Sequence, residues 1–307
     1  IAVFKDDLKG LLAFSTVSHL GLITMLLGFS TPVAASVAIL HIANHVTFKA
    51  ALFMTAGIVD HEAHTRDIKR LGGLLTLMPI TAIVAIVTAL SMAGVMPLNG
   101  FYSKEYMLAE TVETTLYGIP WLMAALATAG ATFSVAYSFR YIVHVFLGPV
   151  RDDYPHTPHD PAFGMYLSPV LLAIAVVVVG LFPNATVAPI RDIATAAVTN
   201  GAYDPSAIKL WYGITPALIL SGVALLGGAL LLAAFRPLAR AWATAGPFHA
   251  KDAFDAVVEA VAGAARGITA TMHDGQITRY LAIFAAVTAL LGGAAFLQGD
   301  TLPGTRA

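Results

Sequence analysis

The sequence predicts an all-α, polytopic membrane protein: about eight transmembrane helices, one of them discontinuous, plus an amphipathic interfacial helix. Three observations predict it. Only 11% of the 307 residues are charged, against about 25% in soluble domains. Hydrophobic residues make up 58% and mean hydropathy is +0.77. The apolar residues also come in long blocks, as bilayer spans require.

The spans fall in order along the chain. They are Leu8 to Gly28, Val33 to Val59, Leu74 to Val95, Leu98 to Thr114, Ile119 to Leu147, Gly164 to Phe182, Trp211 to Phe235 and Tyr280 to Leu297. The fourth departs from the others, because it opens Pro97-Leu98-Asn99-Gly100 and carries Ser103-Lys104-Glu105. Pro and Gly break helices, and broken backbone survives in lipid only where protein or a wet cavity satisfies it. This span is therefore expected to be discontinuous, a common setting for ion binding.

The connections differ in character. Residues 60–73 are polar and end basic, with Arg66, Lys69 and Arg70. Residues 148–161 are rich in Pro, His and Asp, hence a loop. Residues 184–209 are mixed and read as an interfacial excursion. From Asp252 to Met272, Phe254, Val257, Val258, Val261, Ala265 and Ile268 recur at helical spacing, opposite Asp255, Glu259 and Arg266. That pattern predicts an amphipathic helix lying on the membrane or against a partner. Alternating the eight spans puts Lys5, Arg66, Lys69 and Arg70 on one side and residues 148–161, with Arg151, on the other. The positive-inside rule makes the first side cytoplasmic. The chain opens Ile1-Ala2-Val3 with neither Met nor a signal peptide, and is expected to begin inside a longer polytopic protein.

Composition also excludes function classes. A formal net charge of −1 gives no global basic field for nucleic acid. With no cysteine there is no disulfide, thiolate metal site or thiol nucleophile. No P-loop, dinucleotide glycine fingerprint or Gly-x-Ser-x-Gly elbow occurs, and no cofactor is implied.

The residues that carry chemistry lie inside the apolar spans. His41, His45 and Lys49 recur every four residues. Each step turns a helix by about 40° and rises about 6 Å, so all three share one face. An ionisable residue at mid-membrane costs about 2.5–3.5 kcal/mol on insertion scales, so three in line require a reason. Histidine titrates near neutral pH and desolvated lysines titrate lower than solvated ones, which suits a proton relay. A step of about 6 Å is too long for a direct hydrogen bond and implies bridging water. The competing readings are structural polar residues or a zinc site, against which Lys49 is a poor ligand and no His-Glu-x-x-His is present.

Lys104 and Glu105, beside the break, form a second site, where a lysine exchanges a proton as neighbouring charge changes. An interfacial ion pair that snorkels to the surface is the alternative. On composition alone Lys9 is a flanking positive charge, His19 a hydrogen-bonded polar residue, and Arg140 with His144 a snorkelling pair. The Asp60-His61-Glu62-Ala63-His64 cluster reads as a solvated face, and Asn184-Ala185-Thr186 as a low-specificity glycosylation pattern.

The run from Asp7-Leu8-Lys9-Gly10-Leu11-Leu12 through Ser15-Thr16-Val17-Ser18-His19-Leu20-Gly21 resembles the motif opening a core helix of antiporter-like membrane subunits. These are the large proton-pumping subunits of respiratory complex I and their relatives in Mrp-type sodium/proton antiporters. The His41/His45/Lys49 stripe and Phe101-Tyr102-Ser103-Lys104-Glu105 follow in the family's order. Asp60-His61-Glu62, Thr65-Arg66-Asp67-Ile68 and Leu71-Gly72-Gly73-Leu74 look most like the A subunit of Mrp antiporters. The resemblance implies Lys9 as a mid-channel proton carrier, His41, His45 and Lys49 as the central hydrophilic axis, and Lys104 with Glu105 as the terminal site on the broken helix. Many relatives carry glutamine in place of His19, an extra titratable group that would either extend the wire or merely hydrogen-bond. Family members contain two inverted five-helix repeats. Residues 1–148 would be the second half of the translocating core and 149–307 the C-terminal transmembrane helices with the amphipathic segment.

The expected function is thus a proton-translocating subunit of a multi-subunit Na+/H+ (monovalent cation/proton) antiporter in the cell (inner) membrane. Its partners would be other membrane subunits, lipid, protons and Na+ or another monovalent cation. The alternatives are the proton-pumping membrane subunit of a complex I-like NADH:quinone oxidoreductase, energy-coupled inorganic carbon uptake beside a soluble zinc protein, and a structural scaffold.

Overall fold

In bilayer a chain must satisfy its backbone internally, and the long apolar stretches accordingly fold as helices. The computed structural model describes residues 1–152, 154–211, 213–244, 250–272 and 276–298. After a 3-10 turn at Ala2–Phe4 come α1 (Leu8–Gly28), α2 (Pro32–Ala63), the single turn α3 (Leu74–Leu77), α4 (Pro79–Ala93), α5 (Asn99–Glu113) and α6 (Leu122–Tyr141). A π-helical turn, Ile142–Phe146, extends α6. Then follow α7 (Phe163–Leu181), α8 (Pro183–Thr186), α9 (Ala188–Val198), α10 (Pro216–Ala233), α11 (Phe235–Thr244), α12 (Ala250–Met272) and α13 (Ile277–Gln298). The helix starts carry the expected signals. Asp7, Thr31 and Thr215 each accept a hydrogen bond from a first-turn amide, and Pro32 and Pro216 open their helices.

Among the described residues, six helices are long and apolar enough to cross a membrane: α1, α2, α6 with its π turn, α7, α10 and α13. The third and fourth apolar stretches, read above as separate spans, instead make one broken traverse. α4 begins where Asp160 accepts from the amides of Ile80 and Thr81, and it runs inward to Met92, beside Lys49 in the middle of α2. There Gly94 turns left-handed (φ +88°) and the helix stops. α5 restarts at Asn99 beside Asn44 and continues outward, so that Met107 packs with Ile23, Leu26 and Val37 at the opposite end. Each half has 15 residues, about 22 Å of helix, so neither alone spans the roughly 30 Å hydrocarbon.

Merging the two stretches reverses the side expected for residues 148–161. Tyr154 exchanges hydrogen bonds with the backbone of Gly72, and Gly73 N donates to Leu147 O. This loop therefore shares an end with Asp6, Asp7, Arg66 and Lys69. Arg140 does not snorkel. It is 2% exposed, donates to the carbonyls of Val3 and Lys5, pairs with Asp6, and lies over the Phe235 ring.

The apolar core is built from α1, α2, α4, α6 and α7, with Leu11, Leu12, Phe48, Leu52, Ala85, Tyr141 and Val176 inside it. Within residues 184–209, α9 turns Ile190, Ile193 and Val198 outward while Arg191 and Thr195 are buried. The Asn184 side chain is held by both backbone groups of Ile208. Residues 1–242 form one compact unit and 243–307 another. In the second, α12 presents Phe254, Val257, Val261 and Ile268 at its surface, and α13 is an apolar span with no buried residue among those described.

Candidate functional site

The His41/His45/Lys49 face of α2 points into the protein. These residues are 0%, 7% and 5% exposed, whereas Ile42 and Val46 between them are 42% and 58% exposed. The helix is thus polar inside and apolar outside, the inverse of a soluble helix and the arrangement expected in lipid.

Neighbouring helices supply partners for that face. α1 brings Ser15 and His19, α4 brings Ser91 and Met92, α5 brings Asn99, Ser103 and Lys104, and α6 brings Ser134. Lys49 Nζ donates to Ser15 Oγ, to Leu12 O at 3.4 Å and to Met92 Sδ at 3.3 Å. Lys104 Nζ donates to the carbonyls of Met92 (2.6 Å) and Ala93 (3.3 Å) and to Ser134 Oγ (2.8 Å). Those two carbonyls are at the broken C-terminus of α4, where they lack intrahelical partners and carry the negative end of the helix dipole. Met92 therefore touches both lysines, one through sulfur and one through its carbonyl. Among the described residues neither lysine has a carboxylate within ion-pair distance, so no counter-charge locks a proton on either.

The histidines form a packed group. His19 Nδ1 lies 2.9 Å from His41 Nε2, with the rings stacked at 5.2 Å. His41 Nδ1 lies 3.0 Å from Ser103 Oγ, and His19 Nε2 lies 3.4 Å from Ser134 Oγ. The His45 ring is 5.1 Å from that of His19, and its Nε2 is buried without a hydrogen-bond partner. The His41 and His45 rings are 6.1 Å apart, so the links to His41 are made across helices.

The break in the α4–α5 traverse is satisfied by side chains. Ser91 Oγ donates to Asn99 Oδ1 and accepts from Gly100 N, Asn44 Nδ2 donates to Asn99 O, and Asn99 Nδ2 donates to Thr47 Oγ1. An added Cβ at Gly100 would overlap the Ser91 carbonyl, which explains glycine there.

Two of the expected site residues stand apart from this group. Lys9 is in the first turn of α1, 39% exposed, paired at 2.6 Å with Asp60 in the last turn of α2. Ten residues separate it from His19, about 15 Å of helix. Glu105, although next to Lys104 in sequence, points the other way. It is 8% exposed and lines a cavity of about 430 Å³ with Tyr102, Glu110, Glu113, Lys209 and Thr215. In the Asp60-His61-Glu62-Ala63-His64 cluster, Glu62 is buried at the Lys9 end, with His61 and the loop residue His159 beside its carboxylate.

Sequence reasoning did not single out Ser134 or Ser103, and it left His19 between extending the wire and merely hydrogen-bonding. Its spacing held a signal: Ser15 and His19 are four apart and share a face of α1, as His45 and Lys49 do on α2.

Residues 1–133 match the family model described as NADH:quinone oxidoreductase/Mrp antiporter, transmembrane. The chain is 48% identical over 228 residues to a protein of Rhizobium meliloti (strain 1021) named as the A/B subunit of a probable K(+)/H(+) antiporter, a match covering 74% of this chain and 23% of that protein. It is 40% identical over 254 residues to the A1 subunit of a Na(+)/H(+) antiporter of Staphylococcus aureus (strain JH9), covering 76% and 32%. It also superposes on a chain of the Mrp complex from Dietzia sp. DQ12-45-1b with a TM-score of 0.76 and 32% identity, covering 100% of this chain and 33% of that one. The chain thus spans about a quarter to a third of the length of these relatives. With its apolar helices, it is a multi-pass membrane protein.

Proposed function

We propose that this chain, whose residues 1–133 match the NADH:quinone oxidoreductase/Mrp antiporter transmembrane family model, is a proton-conducting portion of a multi-subunit monovalent cation/proton antiporter. Residues 1–148 act as the second half of the translocating core and 149–307 as its C-terminal helices. The partners are other membrane subunits of the complex, in the cell membrane. His41, His45, Lys49 and Lys104 relay the proton, while Lys9 and Glu105 serve its two ends. Lys9 stands beside Asp60 at the cationic end, and Glu105 opens on the acidic cavity. The chain carries out no bond-making on a substrate; it moves charge between compartments.

One observation carries this reading. Two lysines and three histidines are buried together among the apolar helices, with hydroxyls and carbonyls as partners. An arrangement that costs so much in lipid is retained where protons must move. The names of the relatives, which specify both Na+/H+ and K+/H+ antiport, favour a cation-coupled process over a redox-driven one. The test is pH-gradient dissipation in everted vesicles bearing the full complex, with and without Lys104→Ala, on adding Na+ or K+. Cation-triggered proton movement is expected, and it should disappear in the variant while the complex still assembles. Proton movement that requires a respiratory electron donor and ignores both cations would overturn the reading.

A further inference from the structure

Lys104 and His41 are the two relay groups on facing helices, yet no hydrogen bond joins them directly. Two residues outside the expected set fill the gap. Ser134 of α6 and His19 of α1 are both 0% exposed, and the path Lys104 Nζ, Ser134 Oγ, His19 Nε2, His19 Nδ1, His41 Nε2 runs in steps of 2.8, 3.4 and 2.9 Å. We infer that His19 and Ser134 are relay residues, forming the conducting bridge between Lys104 and His41, with the Ser134 hydroxyl as its gate. This rests on the proton-translocating reading above and assigns the step which that reading leaves open.

The chemistry follows from donor and acceptor counts. When Lys104 is an ammonium, its three hydrogens meet three acceptors: Met92 O, Ala93 O and Ser134 Oγ. Ser134 must then point its own hydrogen elsewhere. Two acceptors lie at the same distance, 3.4 Å: Met92 O and His19 Nε2. With the hydroxyl turned to Met92 O the path is open-circuited. With it turned to His19 the path is continuous, and His19 donates from Nδ1 to His41 Nε2.

Transfer is then a shift of three hydrogens. An N–H bond of Lys104 breaks as an O–H forms on Ser134. The former Ser134 hydrogen goes to His19 Nε2, and the Nδ1 hydrogen of His19 goes to His41 Nε2. Lys104 ends as a neutral amine, His41 as an imidazolium, and Ser134 and His19 end neutral. His41 Nδ1 faces Ser103 Oγ, which continues the path by accepting the next hydrogen. After transfer the bridge has reversed its polarity, and the His19 ring and the Ser134 hydroxyl must both reorient before the next cycle. The serine gate thereby imposes one proton per turn.

The test uses the full complex in everted vesicles, reading initial proton flux together with the amount of complex assembled. Ser134→Ala removes one oxygen, Ser134→Thr keeps it, and His19→Gln keeps hydrogen bonding without a ring that can take a proton on one nitrogen and release it from the other. Flux is expected to fall about 100-fold or more in Ser134→Ala and, although glutamine stands at this position in many relatives, in His19→Gln, because the path to His41 in this chain runs through both His19 ring nitrogens. Ser134→Thr should stay within a few-fold of wild type and keep its solvent deuterium isotope effect. If Ser134→Ala or His19→Gln conducts at the wild-type rate while Lys104→Ala does not, the bridge is refuted and the antiporter reading stands. If Lys104→Ala also conducts, both fall. Should His19→Gln fail to assemble, the Ser134→Ala and Ser134→Thr pair decides. Equal loss of flux in both serine variants would refute the gate.

Discussion

Lys49 shows how little separates a relay group from a structural one. Its ammonium is held by a serine hydroxyl, a backbone carbonyl and the Met92 sulfur, all neutral. Arginine would find similar acceptors but stays protonated in proteins. Lys49→Arg should therefore leave assembly intact and lower proton flux by about 100-fold, measured in the same vesicles. Asp6, by contrast, is structural. Partial burial works to raise its carboxyl, but the hydrogen bonds and charges of Lys69 and Arg140 outweigh that and hold it below the usual carboxylate range. A depressed folded value means the stabilisation is present above the unfolded value, near 4, and is lost as pH falls through the folded one. Thermal unfolding should show wild type more stable than Asp6→Asn at neutral pH, the gap closing as the medium becomes strongly acidic.

At the scale of elements, the decisive feature is the break between α4 and α5. A helix interrupted in lipid exposes carbonyls at one end and amides at the other. Here Lys104 takes the carbonyls of Met92 and Ala93, while Ser91 takes the amide of Gly100. The functional lysine is thus also the cap that makes the break tolerable. Gly100 permits the close approach, since any Cβ there would overlap the Ser91 carbonyl. Gly100→Ala should lower stability by about 1–3 kcal/mol through overpacking and displace Lys104 with it. A reduced melting temperature accompanied by reduced flux would bear this out; an unchanged melting temperature would contradict it.

For the molecule as a whole, residues 1–242 have one end rich in Lys and Arg, several of them paired with Asp. Lys5, Lys9, Arg66, Lys69, Arg70, Arg151, Arg236 and Arg240 gather there, whereas Arg191 and Lys209 lie in the other half. By the positive-inside rule this Lys/Arg-rich end is expected in the cytoplasm. The chain has no cysteine, so single cysteines give clean reporters. Tyr117, 90% exposed between α5 and α6, and Asp152, exposed in the loop before α7, should label from opposite sides of the membrane. A membrane-impermeant thiol reagent applied to whole cells should reach Tyr117→Cys and spare Asp152→Cys; equal labelling of both would contradict the folded topology.

The sequence by itself determined what depends on neighbours along the chain. Long apolar runs specify helices in lipid, and a four-residue repeat puts His41, His45 and Lys49 on one face, because helical geometry is local. Pro97 and Gly100 marked the interruption for the same reason. Only the tertiary structure decided that the stretches before and after that interruption share one traverse, and hence on which side residues 148–161 emerge. It also decided that His19 and Ser134, 115 residues apart, meet between Lys104 and His41. Those juxtapositions arise from how helix faces pack across the core, and hydropathy reports only that a face is buried, not which residue will stand opposite.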